Sequence, residues 1–118
     1  LQRTGFNNEQ LAPARVLAME KASNNKLTKE QIDGEIRDIP EWSYNSEHER
    51  IERTFIRKSF LEAAGFIQRI AEVAEVHDHH PDILLSGYKN VLVMLSTHSA
   101  GGVTLKDFEM ARAIQLSE

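Results

Sequence analysis

Apolar residues recur every three or four positions in three stretches of the chain and every second position in others, a pattern of helices interleaved with strands. The longest helical stretch follows Ser59, where Phe60, Ala63, Ala64, Ile67, Ile70, Ala71 and Ala74 keep the 3.6-residue period of one face. Leu61, Phe66 and Val73 add apolar surface beyond that face, more than a helix needs against a single sheet. The surplus predicts a further helix–helix contact, between subunits. A shorter helix is predicted over 29–38, with Ile32, Ile36 and Ile39 on one side and Pro40 as its stop. A last helix, over 105–115, presents Phe108, Ala111 and Ile114 to the core.

All three helices start in the same way. Thr28 is followed by Gln31, Ser59 by Glu62 and Thr104 by Asp107, the spacing at which a hydroxyl and an N3 side chain satisfy each other's free backbone donors. Leu27 with Ile32, and Val103 with Phe108, add hydrophobic staples at two of these starts.

Between the helices the pattern predicts two hairpins. Segments 41–46 and 50–57 pair around a polar turn. Segments 82–85 and 88–96 pair around Ser86 and Gly87, with Val91, Val93 and Leu95 alternating against Leu92 and Met94. The last strand reads as central and buried on both faces. The expected fold is α+β, a four-stranded antiparallel sheet with three helices packed on one face. It occupies residues 27–118. Residues 1–26 are an N-terminal extension, either a mobile arm or a short helix over 13–22 carried by Val16, Leu17 and Met19. The chain begins at Leu1 rather than methionine, which reads as a trimmed or appended end.

Composition narrows the function classes. A chain of 118 residues, 41% apolar, suits one globular domain with a core. Without cysteine there is no disulfide scaffold, no thiol nucleophile and no thiolate metal ligand, as fits a reducing compartment. A net charge of −4 and the lack of a Lys/Arg block argue against nucleic acid as a partner. No apolar run is long enough to span a membrane, and the N-terminus lacks the order of a signal peptide. The chain therefore reads as a soluble cytoplasmic protein, with the nucleus left open.

Four of the five histidines lie in one half of the chain: His77, His79 and His80 just before Pro81, and His98 after the last strand. Imidazole both gives and takes protons near neutral pH. Pro81 disfavours a helical His80, so the cluster falls where the long helix stops and the second hairpin begins. A tight hairpin brings its two ends together, which makes His79, His80 and His98 neighbours in space. Three readings compete. Histidines at a helix C-terminus complement the helix dipole, with His98 a loop residue. A metal site would draw oxygen from Asp78, Asp82 or Asp107, but ligands one turn apart need a helix that Pro81 stops. Metal-free proton transfer by paired imidazoles is the third, and convergence of several histidines favours it. His77 and His48, the latter in a polar turn, fall outside this cluster.

The order Glu75, three residues, His79-His80-Pro81, six residues, Tyr88, nine residues, His98, eight residues, Asp107 resembles the signature of the pterin-4a-carbinolamine dehydratases, also called 4a-hydroxytetrahydrobiopterin dehydratases. The resemblance covers roughly 27–116, Trp42 included. It implies a four-stranded antiparallel sheet with helices on one side, dimers made by joining sheets, and tetramers made by packing the long helix. The implied reaction removes water from 4a-hydroxytetrahydropterin to give quinonoid dihydropterin, recycling the cofactor of aromatic amino acid hydroxylases, with no metal and no cofactor of its own. By this similarity His79 and His98 are the acid/base pair and His80 shapes the pocket. Asp78, Ser96, Thr97 and Ser99 border the pterin, and Pro81 is a supporting residue; Glu75, one helical turn before His79, is placed to orient that ring if the helix holds. Asp107 serves either the helix cap or catalysis, and Tyr88 and Trp42 read as ordinary packing. Some relatives also act as partners of a transcription factor's dimerisation helices, so the long helix could bind a protein partner beside or instead of catalysis.

Overall fold

The structure is a computed structural model that describes residues 24–118. Helix α1 (Lys29–Ile36) leads into strands β1 (Ser43–Asn45) and β2 (Arg50–Ile56), then helix α2 (Phe60–His77). Strands β3 (Asp82–Ser86) and β4 (Asn90–Leu95), a 3-10 turn over His98–Ala100 and helix α3 (Leu105–Leu116) complete the domain. The short helix envisaged over 13–22 lies outside the described residues.

Each helix starts at its expected hydroxyl. Thr28 and Thr104 form complete capping boxes, and Ser59 accepts from the Glu62 amide. Helix α1 ends at Ile36, two residues earlier than predicted. The Arg37 amide still bonds Asp33 O, but Asp38 and Ile39 tighten into i→i+3 turns because Pro40 disfavours a helical residue before it. Helix α2 ends in a left-handed Asp78 (φ 50°), so the chain has already left the helix when it reaches His79.

The sheet runs β1-β2-β4-β3, antiparallel throughout. Ile51 and Phe55 of β2 share one face with Val91, Val93 and Leu95 of β4, and all five are buried beneath the helices. The other face carries Glu52, Thr54, Ile56, Leu84, Leu92 and Met94, half-buried or exposed. Strand β4 is therefore central but buried on one face, not both, because all three helices pack on the same side. The core joins Trp42, Phe55 and Phe66, with ring centroids 6.0 and 4.9 Å apart in sequence, to Ile70, Phe108 and Ile114. Trp42 is an ordinary core aromatic, its indole N–H donating to Gln115 Oε1 at 2.9 Å.

The face that α2 buries is Ala63, Phe66, Ile70 and Ala74. Phe60, Ala64 and Ala71, placed on the core face by periodicity, are exposed, whereas Phe66 is fully buried. The helix is rotated so that its largest ring meets Phe55, and the smaller residues are left outside. The second hairpin turns through three residues, 87–89, rather than through Ser86 and Gly87, since Ser86 pairs with Asn90. Gly87 and Tyr88 are both left-handed, and Tyr88 projects to solvent instead of packing. A Cβ on Gly87 would meet Asn90 Nδ2 at 2.9 Å. Gly87→Ala should destabilise the fold by about 1–2 kcal/mol, read as a lower urea midpoint. An unchanged midpoint would show that this turn tolerates a side chain.

No helix among the described residues is long and apolar enough to cross a membrane.

Candidate active site

Helix α3 supplies the centre of the site. Asp107, at the third position of that helix, is fully buried and uses both carboxylate oxygens. Oδ2 accepts from the Thr104 backbone N–H (2.9 Å), completing the capping box, and from the Thr97 hydroxyl (2.9 Å). The Thr97 and Thr104 hydroxyls are also hydrogen-bonded to each other, at 2.8 Å. Oδ1 faces His79 Nε2 at 2.6 Å. Sequence left Asp107 either a helix cap or a catalytic residue; one of its oxygens completes the cap, and the other meets His79 Nε2.

A carboxylate only accepts, so the 2.6 Å contact puts the hydrogen of His79 on Nε2. Nδ1 is then the nitrogen left to exchange a proton. It takes no hydrogen bond from the described residues and is not sealed from solvent, although the His79 side chain is only 14% exposed. The ring is thus held through Nε2, with Nδ1 left unpaired among the described residues.

The left-handed Asp78 turns the chain so that successive rings diverge. His80 points away from Asp107, and its Nε2 meets Glu75 Oε2 at 2.6 Å. Glu75 thus holds His80, not His79 as expected. The helix ends between Glu75 and His79, so the one-turn spacing that would have joined them does not hold. Both members of the His80–Glu75 pair are exposed, where such a contact stabilises by at most about 1 kcal/mol.

His98 opens the 3-10 turn directly after Thr97 and is exposed. It borders a cleft of about 230 Å³ with Ser96, Thr97, Gly101 and Gly102. Thr97 therefore links the two histidines: its hydroxyl bonds the carboxylate that holds His79, and its neighbour in sequence is His98. No hydrogen bond joins the histidine rings directly among the described residues. Ser99 is exposed in the 3-10 turn, Asp78 is exposed at the end of α2, and Pro81 is half-buried. His77 lies outside this cluster.

His48, left out on sequence, lines the same cleft as His98, and so does Glu49. Its position follows from β2 pairing with β4, where Ile51 opposes Leu95, so the β1–β2 turn falls beside Ser96–His98. Nothing local in the sequence signals that pairing. Glu49 also takes Lys26 at 2.7 Å and raises the lysine's pKa through that hydrogen bond and its charge. No group of three or more His, Asp or Glu among the described residues is arranged to hold a metal ion.

Comparison with known proteins agrees with this architecture. The pterin 4 alpha carbinolamine dehydratase family matches residues 25–116. A provisionally named pterin-4-alpha-carbinolamine dehydratase of Rhodopseudomonas palustris is 48% identical over 89 residues, spanning 75% of this chain and 87% of that protein. Its counterpart in Sulfolobus acidocaldarius is 43% identical over 89 residues, 75% and 94% of the two chains. A crystal structure described as a transcriptional coactivator/pterin dehydratase from Brucella melitensis has a TM-score of 0.73 at 38% identity, covering 79% of this chain and 98% of that one. A pterin dehydratase-like protein identified as a RuBisCO assembly factor in the alpha-carboxysome has a TM-score of 0.54 at 18% identity, over 64% and 87% of the chains. That last likeness concerns the fold alone.

Proposed function

The chain belongs to the pterin 4 alpha carbinolamine dehydratase family, and on that premise we propose that it dehydrates 4a-hydroxytetrahydrobiopterin by metal-free histidine acid/base catalysis. The observation that carries the reading is the His79–Asp107 contact, a mostly buried imidazole fixed in one tautomer by a fully buried carboxylate.

Breaking the C4a–O bond needs a proton on the departing oxygen, which leaves as water. Loss of a ring-nitrogen proton lets the new double bond form, giving quinonoid dihydropterin. The reaction therefore needs an acid and a base on one bicycle, and transfers neither electrons nor groups to the protein. His79, through Nδ1, and His98, at the cleft, are the pair. The Thr97–Thr104–Asp107 network holds the first in place. His80, steadied by Glu75, shapes the rim, and Asp78, Ser96, Thr97 and Ser99 offer polar groups to the heterocycle, with Pro81 fixing the turn. The product is the form that a reductase returns to the tetrahydropterin used by aromatic amino acid hydroxylases.

The test is dehydration of 4a-hydroxytetrahydrobiopterin generated in situ. The protein should accelerate it, and a chelator should leave the rate unchanged. A folded protein without activity would overturn the reading, and loss of activity to a chelator would overturn its metal-free form.

Self-association completes the proposal. Phe60 and Leu61 are 60% and 83% exposed on α2, and Ala64 and Ala71 lie uncovered beside them. A dimer or tetramer covers such a face. Light scattering at low micromolar concentration should give a multiple of 13.4 kDa, and Leu61→Glu should lower the mass. A wild-type monomer would refute the assembly.

The same face favours a second reading, that of a binding partner for a transcription factor's helices, in line with the description of the Brucella protein. It would gain if the folded chain proved inactive as a dehydratase.

A further inference from the structure

The cleft beside His98 has a wall that the dehydration chemistry above does not use. That wall is the turn between β1 and β2, carried there by the register in which Ile51 opposes Leu95. The turn is fixed in shape by two local features. The His48 amide donates to Asn45 Oδ1 at 3.1 Å, and Glu49 adopts a left-handed conformation (φ 51°). It is also tied across to the opposite wall. Lys26 pairs with Glu49 at 2.7 Å, while its methylene stem lies on Gly102, where a Cβ would come within 2.8 Å of Lys26 Cε. Leu27, the next residue, donates its amide to Val103 O at 2.8 Å. The lysine thus straps one wall of the cleft to the other.

We propose that His48 is a further substrate-contacting residue, which binds the pterin ring from the wall facing His98 and sets its position in the cleft. The inference rests on the dehydratase reading and extends its site to a residue outside the histidine cluster. An imidazole suits this place for two reasons. Its flat face can lie along a planar heterocycle, and its ring nitrogens can donate to or accept from the amide-like edge of a pterin. The side chain is exposed, so its replacement removes a ligand contact without opening the core. His48 has no part in the proton transfers, so its effect is expected on binding.

His48→Ala should raise KM about tenfold, the effect of losing one good polar contact, with kcat within about twofold of wild type. His48→Gln, which keeps a donor and an acceptor at similar reach, should recover much of the loss. Fluorescence titration with 7,8-dihydropterin provides a readout apart from turnover, and its Kd should follow KM through both variants. The thermal midpoint should be unchanged. Wild-type KM and Kd in His48→Ala would overturn the inference, and so would a fall in kcat with KM intact. Wild-type protein that neither binds nor turns over a pterin would instead overturn the dehydratase reading, and this inference with it.

Discussion

His79→Ala and His98→Ala should each lower kcat for dehydration by about a hundredfold or more, the usual contribution of a positioned general acid or base. The fold should survive both changes, because His98 is exposed and His79 lies at the edge of the core. His79→Ala does leave Asp107 Oδ1 without its partner, and a modest loss of thermal stability should accompany the loss of activity. His98→Ala should show the kinetic defect alone. The contrast separates a catalytic effect from a structural one within the same pair. A twofold effect at either position, measured with substrate generated in situ, would remove that residue from the acid/base pair.

Asp107 should give the largest effect on stability. Asp107→Ala leaves the Thr104 N–H, the Thr97 hydroxyl and His79 Nε2 without their acceptor in a fully buried place. Removing one member of such a set costs about 3–5 kcal/mol, which corresponds to a fall in Tm of more than about 10 °C for a domain of this size. Asp107→Asn separates the two roles of the side chain. Its amide oxygen can still accept from Thr104, and that orientation turns the NH₂ group toward His79. His79 Nε2 must then accept, which moves the ring hydrogen to Nδ1 and blocks the nitrogen that exchanges protons. Asp107→Asn should therefore keep a Tm within a few degrees of wild type while losing about a hundredfold or more in kcat. Full activity in this variant, followed by steady-state kinetics beside thermal denaturation, would show that the tautomer does not matter.

Local signals in the sequence held to the residue at the helix starts, though not at the end of α1 or in the turn of the second hairpin. Thr28, Ser59 and Thr104 cap their helices because a hydroxyl followed by an N3 side chain solves a problem within one turn. The hairpins, the helix order and the role of Asp107 as a cap are legible for the same reason. What was not legible depended on contacts between distant parts. Periodicity could not say which side of α2 faces the sheet, since Phe60, Ala64 and Phe66 are all apolar and only Phe55 selects Phe66. The left-handed Asp78 moved Glu75 from His79 to His80, although Pro81 had marked only roughly where the helix stops. His48 was missed because the hairpins were readable one at a time, whereas the pairing of β2 with β4 belongs to neither.

That pairing also bears on the order in which the molecule assembles. β1 with β2, and β3 with β4, can each form within a short length of chain, but Ile51 and Leu95 are about 40 residues apart and meet only after the intervening helix and hairpin have been gathered in. Closing so long a loop is an entropic barrier that nearby contacts do not relieve. Changes that strengthen either hairpin alone should thus do little for the folding rate, while changes along the seam between β2 and β4 should govern it. The same seam runs out at the turn that carries His48 before one strand and at His98 beyond the other. A chain with both hairpins formed but not yet joined would hold every residue of the cleft and have no cleft.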